Sequence, residues 1–351
     1  MSFINNIISF IENGIIVTLG IYNIHLINLF LSNNQISIIY CIGPCDDSIK
    51  KLYGDRIVFI NKTSKDALKF IPDNIDILYI NRDDDIYDDL NMYYSKIRAD
   101  GFVIGNNANE KESNEVMKAY NKFLKSRNGK EFIIKTCIIE NQFIIQKLSH
   151  KGIFSYIYEI NGWGNDQNAL YKGSSGEGST IENNIHTWVP FLRKFIYENE
   201  IHSVTDLGCG SFVFGKYIYD DINIQYQGYD AYEEFKEIYA YSKYKFKCMD
   251  FFMHKEEIAP ADLCILKDVL CHWTITDITS FLDYLMETNK FKYILICNGS
   301  AQKIDNDDIL TGQWRALSAT MFPLKKYRPE ILYTYIESGH FPKEVSLLRP
   351  K

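Results

Sequence analysis

The sequence predicts an α/β protein of two tandem domains, each with a mostly parallel, doubly wound sheet that ends in an antiparallel edge hairpin. Strand-like and helix-like segments alternate from the start of the chain, and the alternation begins again in the second half. Each pass closes with two consecutive strand-like runs. The length of 351 residues also exceeds what one hydrophobic core commonly supports, so two domains are expected.

Five apolar runs predict the parallel strands of the first domain, and they read GIIVTLG, SIIYCIG, RIVFIN, IDILYIN and GFVIGNN. Helix-like stretches lie between them at 24–34, 46–52, 64–70 and 87–97, and a longer one follows at 112–125. KEFIIKTCIIE and QFIIQKL then predict two strands joined by a tight Glu140-Asn141 turn. This is the pattern of a Rossmann-like domain, which we place at residues 1–150.

The second half repeats the pattern with SVTDLG, YQGYD, YKFKCMD, ADLCILKD and KYILICN as parallel strands and ILYTYIE with EVSLLRP as the closing pair. Its helices are predicted at 187–198, 214–219, 233–241 and 275–287. No proline- or glycine-rich linker marks the boundary, which we place near 149–160. The second Rossmann-like domain is therefore expected at 158–351.

Composition and charge count against several classes of protein. The formal net charge of −7 argues against a nucleic-acid partner, because phosphate binding usually needs a basic face. The eight cysteines form no paired CxxC motif, so buried free thiols are expected rather than a zinc site. The N-terminus lacks the basic region of a signal peptide, and no apolar run reaches the ~18–20 residues of a membrane span. We expect a cytoplasmic protein without a membrane partner.

The most informative segment is SVTDLGCGS at 203–211, in which a strand leads into a glycine-rich turn. Gly208 and Gly210 lack Cβ atoms, so the backbone can turn sharply and a ligand can approach it closely. Asp206 at the strand end can accept a hydrogen bond from an ammonium group, which a methionine moiety carries and a pyrophosphate lacks. A dinucleotide site would instead need G-x-G-x-x-G without an acid in the turn.

Polar residues also end the next three strands in chain order. Asp230 can accept both ribose hydroxyls of a bound nucleoside. Asp250 can accept from an adenine amino group, and Phe251 can line the face of that ring. Lys267 and Asp268 end the fourth strand. Because the carboxyl ends of parallel strands share one sheet edge, we expect these residues to meet around a single ligand.

From about Ile160 to Arg349, the sequence resembles the class I S-adenosylmethionine-dependent methyltransferase superfamily. DLGCG matches its first motif, Asp230 its ribose-binding acid and Asp250 its adenine-contacting position, and ILKDVLCHW resembles the segment that faces the transferred methyl group. The resemblance implies S-adenosyl-L-methionine as the cofactor and methyl transfer as the activity.

A narrower resemblance joins GWG at 162–164 and SGEGS at 175–179 to a branch of bacterial and viral methyltransferases that carry SGxGS one helix before the first motif. NDD at 306–308, GQWR at 312–315 and FP at 322–323 also look like that branch. Its members often work among enzymes that modify polysaccharides or small molecules. The resemblance therefore implies a sugar or a small hydroxylated acceptor.

His272 is the leading candidate for the general base that a hydroxyl acceptor needs, because an imidazole pKa near 6.5 suits proton abstraction at neutral pH. If the segment turns helically, Asp268 lies on the same face four residues earlier and can orient the imidazole. We therefore expect Asp268 and His272 to act as a catalytic pair. The alternative is that His272 only packs beneath the adenosine beside Trp273.

The loop SSGEGS is predicted to be a lid in which Ser175, Gly176 and Ser179 touch cofactor or acceptor. The alternative is a plain surface loop in which Thr180 caps the next helix.

Two residues after the fifth strand are candidates for acceptor binding. Trp314 offers an apolar face for a sugar ring, and Arg315 offers a planar fork for a phosphate or carboxylate. They could equally form a surface packing pair.

The first half looks similar to another methyltransferase branch, in which an IDGDHxY-type run ends the fourth strand, but its cofactor motif is degenerate. YINRDDDIY at 79–87 resembles that run. Thr18 stands where the first motif has an acid, only Gly20 is retained, and no acid ends the second strand unless Asp46 or Asp47 reaches back. We expect a domain without cofactor that serves in dimerisation or substrate docking.

An acidic cluster in the first half is a candidate metal site. Asp83, Asp84 and Asp85, with Asn106 across the next strand end, could hold a hard divalent cation. The alternative is a solvated acidic loop.

Taken together, these features predict O-methylation of a sugar, nucleotide-sugar or glycan hydroxyl. N-methylation of a small molecule, protein or RNA is the first alternative, and the missing basic character counts against RNA. A non-catalytic scaffold is the second, and the intact Asp206, Gly208, Gly210 and Asp230 argue against it.

Overall fold

Two seven-stranded sheets organise the chain, one in each of two units, Met1–Ser149 and His150–Lys351. The computed structural model describes residues 2–9, 11–20, 23–44, 54–109, 114–127, 134–165, 172–300, 308–336 and 342–350. Among these residues, no helix has both the length and the apolar character needed to cross a membrane.

The sheet of the first unit has the strand order β3-β2-β1-β4-β5-β7-β6. Its strands are β1 (Gly14–Gly20), β2 (Ile36–Ile42), β3 (Ile57–Ile60), β4 (Ile75–Asn81), β5 (Ile97–Gly105), β6 (Ile134–Ile139) and β7 (Gln142–Lys147). The helices described in this unit are Ser2–Ile8, Ile24–Ser32, Ser64–Ala67, Ile86–Tyr93 and Glu115–Arg127. Strands β1 to β5 are parallel, and β7 pairs antiparallel with both β5 and β6.

The sheet of the second unit repeats this order as β10-β9-β8-β11-β12-β14-β13. Its strands are β8 (Ser203–Leu207), β9 (Gln225–Asp230), β10 (Lys245–Cys248), β11 (Ala261–Lys267), β12 (Phe291–Gly299), β13 (Glu330–Ile336) and β14 (Pro342–Leu348). The helices described in this unit are His150–Glu159, Ile181–Asn184, Trp188–Glu198, Gly215–Tyr219, Phe235–Tyr239 and Ile275–Glu287.

Both strand orders are that of the class I methyltransferase fold, so the predicted fold class is confirmed. In each sheet the order reverses beside the first strand, and a final antiparallel strand lies between the fifth strand and the edge. At such a reversal the connections leave toward opposite faces of the sheet, which opens a crevice at the carboxyl ends of the strands. The fold therefore fixes where a ligand can bind.

The two central strands of the second sheet are covered on both faces, which is why they read as continuous apolar runs. Leu263 of β11 packs with the helix Trp188–Glu198 on one face. Leu266 of the same strand packs with the helix Ile275–Glu287 on the other face. The carboxyl edge of this sheet is thus held between two helical layers.

Several predicted boundaries change in the structure. The helices Ser2–Ile8 and His150–Glu159 were not predicted, and the predicted helix at 46–52 lies outside the described residues. The helix predicted to run to residue 97 ends as an α-helix at Tyr93, because β5 already begins at Ile97. The predicted hairpin turn is present, with φ of 53° at Glu140 and 61° at Asn141.

The second unit begins earlier than the predicted start at residue 158, because the helix His150–Glu159 packs within it. The backbone N–H of Lys151 donates to Asp250 Oδ2 over 2.9 Å. Near the other end of the helix, the ring of Tyr158 stacks on that of Tyr232 at a centroid distance of 4.5 Å. Both contacts join distant parts of the chain, which sequence periodicity does not report.

Candidate cofactor-binding site

A cavity opens at the carboxyl edge of the second sheet, where the strand order reverses between β8 and β11. It brings together most of the site residues that the sequence predicts. Those that line it are Ser175, Gly176, Ser179, Asp206, Gly208, Gly210, Asp230, Phe251, Lys267, Asp268, His272 and Trp314. Asp250 and Arg315 are not among its lining residues.

The glycine turn after β8 needs both of its glycines. Gly208 has φ of 81° and Gly210 has φ of 55°, in the left-handed region that side chains disfavour. A Cβ atom on Gly208 would lie 2.4 Å from a methyl carbon of Val269, and one on Gly210 would lie 2.9 Å from Ser175 Oγ. The turn therefore brings the backbone close to the segment that covers it, as a tight ligand cradle requires.

Asp206 presents a carboxyl group that is costly to ionise. Burial raises its pKa to about 7, although the hydrogen bond from the Tyr226 hydroxyl (2.8 Å, to Oδ2) and the nearby Lys267 ammonium lower it. A bound cation would repay this cost by favouring the ionised form. The chemistry of this group therefore fits the ammonium of an amino acid moiety.

Asp230 is buried at the end of β9 and holds the glycine turn in place. Its Oδ2 accepts from the backbone N–H of Gly210 over 2.8 Å, and its Oδ1 accepts from that of Tyr232 over 3.2 Å. Burial raises the pKa of this carboxyl group, while the backbone hydrogen bonds lower it. Because each carboxylate oxygen has a second lone pair, Asp230 can still accept from a pair of ribose hydroxyls.

The structure changes the role predicted for Asp250. Its Oδ1 accepts from the backbone N–H groups of Phe252 and Met253, and its Oδ2 accepts from that of Lys151. The carboxylate therefore caps its own turn and the start of the helix His150–Glu159, and it lies outside the cavity lining. Phe251 does line the cavity, and its ring stacks on that of Trp273 at 5.9 Å.

His272 is held by a backbone carbonyl. Its Nδ1 lies 2.9 Å from the carbonyl oxygen of Gln313, which can only accept, so Nδ1 carries the proton and Nε2 is an acceptor. Burial lowers the pKa of His272 below its usual value of 6.5, so the ring is neutral at physiological pH. This is the protonation state that a general base requires.

The predicted Asp268–His272 pair was wrong. Asp268 has φ of 56° and Leu270–His272 form a short 3-10 turn, so the two side chains are not stacked as on an α-helix. The Asp268 carboxylate instead forms ion pairs with Lys267 (2.7 Å) and Lys343 (2.6 Å). Although burial alone would raise it, these two ammonium groups lower the pKa of Asp268 to about 2.

The segment 172–180 contacts the cavity at two points. Ser175 Oγ lies 3.0 Å from the Tyr158 hydroxyl and accepts from the backbone N–H of Ser211 over 3.3 Å. The carbonyl oxygen of Gly178 accepts from Lys267 Nζ over 2.7 Å. Thr180 also caps the helix Ile181–Asn184, so the capping role and the position beside the cavity are both present.

Of the two residues predicted to bind the acceptor, only one lies at the cavity. Trp314 lines the cavity and is 46% exposed, so its ring is accessible from solvent. Arg315 instead donates to the carbonyl oxygen of Trp273 over 2.9 Å and pairs with Asp308 over 3.1 Å. Both terminal nitrogens of Arg315 thus bind protein acceptors, and the contact with Trp273 holds the segment around Arg315 against the turn after β11.

The predicted metal cluster in the first unit is occupied by protein partners. Arg82 pairs with Asp84 and with Asp85, each over 2.9 Å, and Asp83 Oδ1 accepts from the Asn107 amide over 2.7 Å. The Asn106 side chain donates to the Asn81 side-chain oxygen and accepts from the Gln142 amide, so it is hydrogen-bonded to these two residues and not to the three aspartates. Among the residues that the structure describes, no group of three or more potential ligands could hold a metal ion.

Lys343 is a cavity residue that sequence reasoning missed, and so are the aromatic side chains of Phe154, Tyr158 and Trp163. The position of Lys343 could have been predicted from the direction of its strand. Because β14 runs antiparallel to β12, its first residues lie at the carboxyl edge of the parallel strands. Trp163 belongs to the GWG motif at 162–164, whose position beside the cavity was not predicted, and Phe154 and Tyr158 lie on the unpredicted helix His150–Glu159.

No family model matches the chain, and no curated protein matches it. Among solved structures, it is similar to the methyltransferase domain of bacterial CtHen1, with 12% identity over 48% of this chain and 100% of that one and a TM-score of 0.38. It is also similar to the N-methyltransferase NodS from Bradyrhizobium japonicum, with 11% identity over 50% and 89% and a TM-score of 0.36.

A third solved structure is a SAM-dependent O-methyltransferase from Thermotoga maritima, with 10% identity over 42% of this chain and 64% of that one and a TM-score of 0.30. All three names give a methyltransferase, and the two that specify the acceptor atom differ, one naming nitrogen and the other oxygen. The function proposed below therefore rests on the residues of the cavity.

Proposed function

We propose that this chain, which has the class I methyltransferase fold, is an S-adenosylmethionine-dependent methyltransferase that methylates a hydroxyl group of a sugar, nucleotide sugar or glycan. The observation that carries the proposal is the meeting of Asp206, Asp230 and the Gly208–Gly210 turn in one cavity with a neutral His272. A chance glycine turn explains none of the other three positions.

The cavity offers groups that suit the ammonium, the ribose and the adenine ring of the cofactor. Asp206 would hold the ammonium, Asp230 the ribose hydroxyls, and Phe251 would pack against the adenine. When bound, the cofactor supplies a methyl group on a positively charged sulfur, which is reactive without further activation. The protein's task is to orient the acceptor and to exclude water.

His272 favours a hydroxyl acceptor over an amine. A hydroxyl oxygen must lose its proton as it attacks, and the Nε2 of a neutral imidazole can take it. An amine that has already lost its proton needs no such base. The half-exposed ring of Trp314 would provide the apolar face on which a sugar ring packs.

The first unit is proposed to bind no cofactor and to serve in dimerisation or substrate docking. Gly20 keeps the turn conformation, with φ of 97°. Thr18, at the position of Asp206 in the other unit, is buried and carries no charge for an ammonium. A charged hydrogen bond is worth about 1.5–3 kcal/mol, so its loss weakens cofactor binding strongly.

Calorimetric titration with S-adenosylhomocysteine tests the cofactor assignment. We expect binding to the wild-type protein and at least about tenfold weaker binding to Asp230→Ala, which loses one charged acceptor and the hydrogen bond to Gly210. Asp221→Ala, an exposed partner of Arg193, is the matched control and should bind like wild type. An unchanged affinity for Asp230→Ala would place the cofactor elsewhere.

The affinity for S-adenosylhomocysteine should also depend on pH through Asp206. The ammonium binds the ionised carboxylate, so below the pKa of about 7 binding must first expel a proton. This predicts about tenfold weaker binding at pH 6 than at pH 8. Asp206→Asn should bind weakly at both values, and equal wild-type affinities at pH 6 and pH 8 would contradict the role of Asp206.

A further inference from the structure

A continuous series of charged hydrogen bonds links the strand β14 to the segment 172–180, which we call the lid. Lys343 Nζ donates to Asp268 Oδ1 over 2.6 Å, and Lys267 Nζ donates to Asp268 Oδ2 over 2.7 Å. Lys267 Nζ also donates to the carbonyl oxygen of Gly178 in the lid over 2.7 Å. One carboxylate therefore connects two lysines that are 76 positions apart in the sequence numbering.

The lid end of this series is fixed by a second buried group. Asn184 is fully buried, and its side-chain amide donates to the carbonyl oxygens of Gly178 and Thr180 over 3.0 and 2.7 Å. Gly178 thus accepts from two side chains at once. Its carbonyl group cannot turn away from Lys267 without losing an interaction with an ammonium, which is stronger than a neutral hydrogen bond.

The other end of the series lies beside the proposed acceptor. Lys343, His272 and Trp314 all line the cavity. The Lys343 side chain is only 10% exposed, so its charge is held within the protein and interacts strongly with Asp268. A ligand that contacts Lys343 would therefore act on the whole series.

We propose that Lys343 is a positioning residue that acts through Asp268 and Lys267 to hold the lid over the cofactor. Occupancy of the acceptor side and closure of the lid are then coupled, because they share the carboxylate of Asp268. Asp268 in turn is a positioning residue and not a catalytic base. The coupling to cofactor rests on the proposed function, whereas the link from Lys343 to the lid rests only on the contacts above.

Removing the Lys343 charge should loosen the lid. With Lys343 absent, Asp268 has one cation in place of two, and both of its oxygens compete for Lys267. Lys267 is then drawn away from Gly178. The backbone N–H groups of Ser179 and Thr180, which are hydrogen-bonded within the lid, report this opening through hydrogen exchange.

The experiment compares hydrogen–deuterium exchange across residues 172–184 in the full chain without ligand. Lys343→Met should exchange about tenfold faster than wild type in the lid, as the loss of a charged contact predicts. Lys343→Arg, which keeps the charge, should restore most of the protection. Lys326→Met removes a surface partner of Asp283 and is the matched control, for which we expect wild-type exchange.

A double variant tests the route through Lys267. Lys267→Met should open the lid at least as much as Lys343→Met, and the two substitutions together should add nothing to Lys267→Met alone. Exchange in the helix Ile275–Glu287 should be unchanged in every variant, which separates lid opening from unfolding. Wild-type lid exchange in Lys343→Met, or additive effects in the double variant, would overturn the proposal.

The same variants separate this inference from the proposed function. S-adenosylhomocysteine should protect the wild-type lid, and Lys343→Met should reduce that protection. If the wild-type protein does not bind S-adenosylhomocysteine, the proposed function fails while the ligand-free exchange still decides the lid contact. If it binds but Lys343→Met leaves the lid unchanged, the inference fails alone.

Discussion

Replacing His272 with alanine is expected to lower kcat for methyl transfer to a hydroxyl acceptor by about 10²–10⁴-fold, the usual contribution of a positioned general base. The imidazole is held by the Gln313 carbonyl group with Nε2 as the acceptor, and burial lowers its pKa, so the wild-type base is ready at neutral pH. Alanine removes the only proton acceptor that we assign to this reaction.

The measurement is incorporation of labelled methyl groups from S-adenosylmethionine into a panel of nucleotide sugars and glycans. The same assay with EDTA shows whether the activity depends on a divalent metal ion. His186→Ala, an exposed histidine of the same unit, is the control and should be as active as wild type. A loss smaller than about threefold in His272→Ala would exclude the general-base role.

The pH profile gives an independent reading of the same residue. A base works only when it is deprotonated, so kcat should fall as the pH drops through the pKa of His272. Because burial lowers that pKa below 6.5, the rate should be constant around neutral pH and decline only in acid. A rate that instead rises through the alkaline range in both wild type and His272→Ala would indicate an amine acceptor.

Replacing Trp273 with alanine is expected to lower the free energy of unfolding of the second unit by about 3–5 kcal/mol, the cost of deleting a large buried aromatic side chain. Trp273 is 1% exposed, and its ring contacts those of His150, Phe252 and Phe281 at centroid distances of 4.9, 5.3 and 5.2 Å. The three neighbouring rings come from separate segments. The cavity left by removing the Trp273 ring therefore cannot be filled by the movement of one side chain.

Urea unfolding followed by circular dichroism measures this loss. Trp314→Ala is the matched control, because Trp314 also lines the cavity but is 46% exposed, and its removal should change stability by less than about 1 kcal/mol. Equal losses of unfolding free energy in the two variants would contradict the prediction that the greater burial of Trp273 makes it more important for stability. Trp314→Ala should affect acceptor binding instead.

Much of the fold could be predicted from the sequence because it depends on local patterns. Continuous apolar runs mark strands such as β11 and β12, which are buried on both faces, and the Glu140-Asn141 pair marks the hairpin turn. The glycine turn after β8 was predicted for the same reason, since positive φ at Gly208 is a property of the backbone itself. The carboxyl edge of the sheet then followed from strand direction.

The roles of individual polar side chains were harder to predict. Asp250, Asp268 and Arg315 all follow strands that the sequence predicts, but each is bonded to a partner that the sequence does not indicate. Asp250 accepts from Lys151, Asp268 from Lys343, and Arg315 donates to Trp273. Their positions after the strand ends were predictable, whereas their hydrogen bonds were not.

The sequence by itself determined the two mostly parallel sheets, their antiparallel edge hairpins and the edge at which Asp206, Asp230 and the glycine turn meet. Only the tertiary structure decided that Asp268 pairs with Lys267 and Lys343 and that His272 is hydrogen-bonded to the carbonyl group of Gln313. The physical reason is the range of the interactions involved. Backbone conformation and hydrophobic periodicity are set by residues a few positions apart, whereas a buried charge takes its partner from whichever distant segment packs against it.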